Sequence, residues 1–474
     1  MTLLVRGGTV VGPTSAQPMD VLVDGERVVA LLAPGDTSLG ADLASGAGTD
    51  ITVLDATGKY VVPGGVDCHT HMELPFGGTF ASDTFESGTR AAAWGGTTTI
   101  VDFAVQRTGE RVQDGLAAWH AKAEGSCAID YGFHQIIGGV DDESLKAMDE
   151  LVDEGITSFK LFMAYPGVFY SDDGQILRAM QVAANNGSMV MMHAENGIVI
   201  DVLVSQALAR GETAPRYHGL TRPWETEEEA THRAIMLAHL TGAPLYVVHM
   251  SAKQAVSALA AARGQGWNVF GETCPQYLYL SLEEHLSAPG FEGAKYVCST
   301  PLRARAEGHQ EELWRYLRTG DLSVVSTDHC PFCMKEQKEL GIGDFSKIPN
   351  GIGSVEHRMD LLYQGVVDGH LSLCRWVELC CTTPARMFGL HPRKGEILPG
   401  ADADLVVYDP QARTHIGVGT AHMNMDHSAW EGFEIAGGVD TVLSRGTVVV
   451  AGGAYTGTKG HGRFVRRGLS SYLT

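Results

Sequence analysis

The stretch VVPGGVDCHTH, residues 61–71, decides how this chain folds. Small and β-branched residues run into a His-Thr-His triplet. Side chains alternate along a strand, so His69 and His71 fall on one side, where two imidazoles can share a metal ion. Alone, the triplet is equally a strand end with two surface histidines. Four further strand-like runs also end in residues that can serve a metal: Lys160 in ITSFKLFMAY, His193 in SMVMMHAEN, His249 in PLYVVHMSA and Asp328 in LSVVSTDHC.

Working outward, residues 61–390 alternate strand-like runs with helix-like segments, the pattern of a parallel βα array. Eight candidate strands can be counted: VVPGGVDCHTH, TTTIVDFAV, DYGFHQII, SFKLFMAY, SMVMMHA, PLYVVHM, WNVFGETCP and LSVVSTD. Eight closes a TIM-like (β/α)8 barrel. Segments such as ESLKAMDELVDEG, TEEEATHRAIMLAHLTG and AKQAVSALAAARGQG have helical apolar spacing and end in glycine. In such barrels the chemistry sits at the C-terminal strand ends, the address shared by all the residues named above.

The flanks differ. LLVRGGTVV, DVLVDGERVVALLA and ITVLDATGKYVV at one end, and EILPGADADLVVYDP and VDTVLSRGTVVVAGG at the other, read as short strands reversed at glycine-containing turns. Neither flank alone could bury both faces of a sheet, so residues 1–60 and 391–455 are predicted to join in one smaller β-sandwich beside the 61–390 barrel, with 456–474 as a tail. The overall class is α/β.

At 474 residues and 44% hydrophobic content the chain can bury a large core without staples. Nine cysteines without a framework of spacings suggest free thiols in a reducing cytoplasm. No apolar run approaches the roughly 20 residues of a membrane span, and no targeting segment is evident at the N-terminus. A formal charge of −21 disfavours nucleic acid or an anionic membrane as partner. The basic RFVRRG, 463–468, reads as a solvated tail or subunit contact. CPFC at 330–333 lacks a second cysteine pair for a structural zinc, and the glycines of GGTF and WGGTTT lack the GK[ST] of a phosphate loop. His134, His232, His239, His329 and His357 read as packing or surface residues, with His329, beside Asp328, the one expected to matter most.

Lys160 is set between Phe159, Leu161 and Phe162, a costly place for an ammonium. Burial lowers a lysine's pKa, and a neutral amine can take up CO2 to form an anionic carbamate with two oxygens. A lysine snorkelling to a carboxylate is the plainer alternative, outweighed by the four histidines and the aspartate around it.

HTHMELPFGGT, FKLFMAY, MMHAENG, VVHMSA, ETCPQYLYL, STPLR, STDHCPF and IPNGIGSVEHRM, in this order, resemble the cyclic amidohydrolases and within them the dihydropyrimidinase and hydantoinase group. The resemblance implies two divalent ions, most often zinc, with His69, His71 and Asp328 on one, His193 and His249 on the other, and Lys160, modified to N6-carboxylysine, bridging them. It implies a metal-bridging hydroxide as nucleophile, Asp328 as general base and acid, and Tyr165 as donor to the oxyanion. Main-chain groups at Ser299 and Asn350 would bind the cyclic amide edge. Phe162, Phe169, Met72, Leu74 and Phe76 would surround the ring substituent. It further implies a homotetramer acting on a small molecule of pyrimidine catabolism: a 5,6-dihydropyrimidine or a 5-monosubstituted hydantoin, opened to an N-carbamoyl amino acid. Allantoinase and dihydroorotase are the rival activities. Dihydroorotases carry HxHxR, and here the arginine's place is taken by Glu73, which an anionic substrate would meet. A non-catalytic dihydropyrimidinase-related scaffold is the remaining alternative, disfavoured because all six ligand positions are filled.

Overall fold

The computed structural model describes residues 2–36 and 51–473; part of the N-terminal segment assigned to the sandwich therefore lies outside the described residues. Eight parallel strands form the central sheet: β1 Gly65–Thr70, β2 Thr97–Val105, β3 Asp130–Ile136, β4 Ser158–Phe162, β5 Met189–His193, β6 Leu245–Val247, β7 Val269–Thr273 and β8 Val324–Val325. Neighbours in sequence are neighbours in the sheet. The two end strands meet where the His71 N–H donates to the His329 carbonyl (2.8 Å) and Thr70 bridges to His329. All nine residues of β2 are buried, as in a sheet covered on both faces.

The helices follow the predicted rhythm. Asp142–Asp153, Trp224–Thr241 and Lys253–Gly264 lie under the three quoted segments, and each stops at a left-handed glycine, Gly155, Gly242 or Gly266.

The two flanks join. One sheet of seven strands interleaves Thr9–Val11, Ala16–Pro18 and Tyr60–Pro63 with Leu405–Asp409, Gly438–Ser444, Thr447–Ala451 and Ala454–Tyr455. The seam is Tyr60–Pro63, parallel to Thr9–Val11 on one side and antiparallel to Leu405–Asp409 on the other. A second sheet holds Thr2–Arg6, Asp20–Asp24, Arg27–Leu32 and Thr52–Asp55. Leu3, Val5, Val21, Val61, Leu405 and Val407 fill the core between them.

Charge ties this unit to the barrel. Lys394 places its ammonium 2.6 Å from Asp130, at the start of β3, and 2.9 and 2.7 Å from Asp402 and Asp404. Burial opposes the charge, but the three carboxylates raise the Lys394 pKa above its ordinary value.

The basic segment near the C-terminus departs from its sequence reading. It is only partly solvated: Arg463 and Arg466 are exposed, but Val465 and Arg467 are buried, the Val465 N–H donates to the Tyr131 carbonyl (2.7 Å) and Arg467 donates to Ser158 Oγ (2.9 Å). Main-chain carbonyls and a hydroxyl take the terminal N–H groups of the Arg467 guanidinium in place of a carboxylate, so charge counting misreads this residue.

Candidate metal centre

Strand ends place the candidate residues. His69 lies in β1, Lys160 in β4 and His193 closes β5, while His71, His249 and Asp328 stand just past β1, β6 and β8. His249, Asp328 and Tyr165 have φ of 40°, 51° and 59°, left-handed values that side-chain-bearing residues rarely adopt. Each such position costs about 1–3 kcal/mol and persists only where the surroundings over-determine it. His249 shows how: its N–H donates to Glu272 (3.2 Å) and its carbonyl accepts from Thr300 Oγ1 (2.8 Å).

The donor atoms converge. His69 Nε2 and His71 Nε2 are 3.2 Å apart, Asp328 Oδ1 lies 3.1 and 3.2 Å from them, and Lys160 Nζ is 2.9 Å from His69 Nε2. His69, His71 and Asp328 form the compact group able to hold an ion among the described residues. His249 packs edge-on against His193, ring centres 4.5 Å apart, and its Nδ1 is buried without a hydrogen-bond partner, as is that of His71. Glu272 accepts from His69 Nδ1, so Nε2 is the ring nitrogen that faces a second imidazole nitrogen and a carboxylate oxygen. Imidazole nitrogens and a carboxylate oxygen gathered this closely are a donor set that a divalent metal fits.

Electrostatics agree. Burial lowers Lys160 to about 8, against the pull of Asp328 and Glu272. Burial also takes His71 down to about 3, leaving a neutral imidazole. Burial pushes Asp328 up, but the charge of His69 and the hydrogen bonds of His69 and His71 outweigh it and hold the carboxyl well below its usual range.

Above these residues opens a cavity lined by His71, Lys160, His193, His249 and Asp328 on one side and by Leu74, Phe76, Phe162, Tyr165, Phe169, Ser299, Cys330 and Asn350 elsewhere. Phe162 and Phe169 stack at 5.0 Å, and Phe76 meets Tyr165 edge-on at 5.4 Å. The Tyr165 hydroxyl shares the cavity with Ser299 and Asn350, whose side chains pair with each other (Asn350 Nδ2 to Ser299 Oγ, 3.0 Å), and burial raises its pKa, so it remains a proton donor. Neither peptide N–H nor carbonyl of Ser299 or Asn350 enters a main-chain hydrogen bond among the described residues.

Two residues sit differently from their sequence reading. Met72 turns away from the cavity and tucks its sulfur against Gly88 of the helix Phe85–Trp94. Glu73, at φ 54°, directs its carboxylate to the Phe85 N–H (3.2 Å) at the start of that helix, outside the cavity lining. A dihydroorotate would therefore find no guanidinium, but it would not meet this carboxylate either.

Sequence reasoning passed over four supporting carboxylates. Glu272 in β7 holds His69 and also accepts from Tyr246 (2.9 Å). Glu195 pairs with His193 Nε2 at 2.8 Å. Asp102 in β2 accepts from Thr70 Oγ1 (2.8 Å) and the Met72 N–H (2.9 Å), steadying the His-Thr-His strand end. Asp83 lies 3.1 Å from His329 Nε2, while His329 Nδ1 accepts from the Ser354 N–H. Asp102 and Glu272 lie inside buried strands, where a carboxylate must have a partner, but the sequence does not say which; Asp83 and Glu195 lie outside strands and carry no such signal. All nine cysteines are unpaired, CPFC included.

An eight-stranded parallel barrel thus gathers imidazoles and a carboxylate at its strand ends, the arrangement of a barrel enzyme with a candidate metal site. The amidohydrolase family model matches residues 60–449, and the chain belongs to that family. It is 64% identical over 471 residues to a D-hydantoinase of Streptomyces coelicolor, with 99% of each chain covered. Among solved structures it is similar to the dihydropyrimidinase of Brevibacillus agri (TM-score 0.95, 48% identity, 99% of each chain). The L-hydantoinase of Arthrobacter aurescens is more distant, with TM-score 0.86 and 29% identity over 98% of this chain and 99% of that one. No helix among the described residues is long and apolar enough to cross a membrane.

Proposed function

We propose that this protein hydrolyses the cyclic amide bond of 5-monosubstituted hydantoins and 5,6-dihydropyrimidines to N-carbamoyl amino acids. The observation that carries the reading is the cavity: uncommitted peptide groups at Ser299 and Asn350 share it with the His–Lys–Asp cluster, and no arginine lines it. An amide edge pairs with peptide groups; a carboxylate substrate would need a cation.

His69, His71 and Asp328 would hold one zinc ion and His193 and His249 a second, with carboxylated Lys160 between them; such ions, when bound, polarise a carbonyl and acidify water. Asp328, kept ionised, takes a proton at its carboxylate and returns it to the leaving amide nitrogen. Tyr165, kept protonated, donates to the oxygen on which charge develops. Ser299 and Asn350 orient the ring through main-chain groups, and Phe162, Phe169, Phe76 and Leu74 exclude water around its substituent.

The domain division at residues 60, 390 and 455 belongs to this proposal, with the first boundary shifted past Pro63, because Tyr60–Pro63 pairs within the seven-stranded sheet. So does a cytoplasmic homotetramer, supported by the unpaired cysteines and by the exposed apolar side chains of Ile198, Val199, Val202 and Leu220. The test is a steady-state comparison of dihydrouracil, hydantoin, allantoin and dihydroorotate, with metal content measured on the same preparation. Turnover of the first two supports the reading. Preference for allantoin or dihydroorotate, or inertness after loading with zinc and bicarbonate, overturns it.

A further inference from the structure

Lys338 follows β8 by a dozen residues and is wholly buried, yet no acidic side chain pairs with it among the described residues. A buried ammonium without a counter-ion is expensive, and burial lowers the Lys338 pKa to about 7, so its charge persists only where every N–H is used. Here all three are: Nζ donates to the carbonyls of Val297, Pro349 and Gly351, each at 2.9 Å. The ionisable groups around it are the thiols of Cys298 and Cys330, both raised by burial and so neutral, and the imidazoles of His218 and His427, both lowered by burial.

All three acceptors come from the two loops that carry Ser299 and Asn350. The Pro349 carbonyl shares a trans peptide plane with the Asn350 N–H, which therefore points away from Lys338. Donation to that carbonyl polarises the peptide and strengthens its N–H as a donor. The Gly351 N–H donates to the Val297 carbonyl (2.9 Å), closing the loops on each other around the ammonium. The neighbouring Gln337 extends the clamp: Nε2 donates to Thr79 Oγ1 (3.0 Å) and the Phe80 carbonyl (2.7 Å), holding the hairpin that carries Phe76.

We infer that Lys338 is a positioning residue for the amide-binding wall of the cavity, a tethered amine nitrogen that gathers three carbonyls and so fixes the peptide groups of Ser299 and Asn350. The inference rests on the cyclic-amide reading for its kinetic consequence, but not for its structural one. Lys338→Met keeps an unbranched side chain, one heavy atom shorter, and removes the charge and all the donors. In the metal-loaded enzyme the substitution raises KM for hydantoin roughly tenfold while kcat stays within about threefold, because ground-state positioning is what is lost. Metal content stays unchanged. Amide hydrogen exchange accelerates in 297–300 and 349–352 and not in the helix Trp224–Thr241.

Unchanged KM with unchanged exchange in the two loops overturns the inference, as does a fall in kcat alone. If the wild-type protein turns over no cyclic amide, the functional reading fails and loop exchange in Lys338→Met decides the structural claim by itself. If Lys338→Met does not accumulate folded, Lys338→Gln, which retains two N–H donors, is measured in its place. It is expected to show the same pattern at smaller amplitude, and a wild-type pattern overturns the inference.

Discussion

Glu272→Gln separates charge from shape at the metal centre. The carboxylate accepts from His69 Nδ1, the Tyr246 hydroxyl (2.9 Å) and the His249 N–H (3.2 Å). Glutamine matches it in size. With its carbonyl toward His69 and His249, its amide nitrogen faces the Tyr246 oxygen, which can accept. The contacts survive; the negative charge behind His69 does not. Burial and Lys160 push the His69 pKa down, Glu272 and Asp328 push it up, and the upward push prevails. Removing Glu272 leaves a less basic imidazole, and loss of such a carboxylate behind a metal-binding histidine costs about 10–100-fold in metal affinity, or about 1.4–2.7 kcal/mol. Titration of metal-free protein with zinc in competition with a chromophoric chelator reads this directly, with Tyr246→Phe as the control that keeps the charge. Zinc affinity within twofold of wild type in Glu272→Gln, or an equal loss in Tyr246→Phe, refutes the assignment of the effect to charge behind His69.

Lys160→Ala is expected to lose one or both metals, with partial recovery of activity when short-chain carboxylic acids supply bridging oxygens; full metal occupancy and normal turnover in this variant would refute the bridge. Tyr165→Phe should keep metal content and KM but lower kcat by about 10²-fold, the loss typical of one oxyanion donor, and an unchanged kcat removes Tyr165 from the chemistry. Asp360, buried beside Tyr408, is raised to about 7 by burial, so the folded state binds the extra proton between the ordinary carboxylate range and about pH 7. Wild-type stability from this group is therefore present in acid and lost as pH rises through about 7. Asp360→Asn should gain on the wild type over that window in denaturant melts, and a constant difference across it would contradict the assignment.

How far the sequence could be read depended on whether a residue's role was local. The strands showed because a sheet buried on both faces demands unbroken runs such as TTTIVDFAV, and their ends showed because metal-competent residues stood where such runs stopped. Glu272 was invisible by the same logic. Its partner lies 203 residues away and meets it only when the barrel closes, and GET inside a strand looks like any polar interruption. Glu73 failed for a different reason. A left-handed φ swings its carboxylate to a helix N-terminus, and no periodicity reports a single backbone dihedral at a residue that is not glycine.

The same limit explains the site itself. Tyr165, His249 and Asp328 all occupy left-handed backbone, where glycine would relieve the strain but could offer no hydroxyl, imidazole or carboxylate. The fold retains these side chains by over-determining their surroundings: Glu272 and Thr300 pin the two sides of His249, and Asp67 accepts from Thr327 N–H (3.2 Å) and Oγ1 (2.6 Å) immediately before Asp328. Three peptide N–H groups converge on the Tyr165 carbonyl to the same end. Residues that a sequence marks as chemical are thus held by residues it marks as ordinary. The reactive geometry resides as much in Glu272, Thr300 and Asp67 as in the groups that would touch substrate.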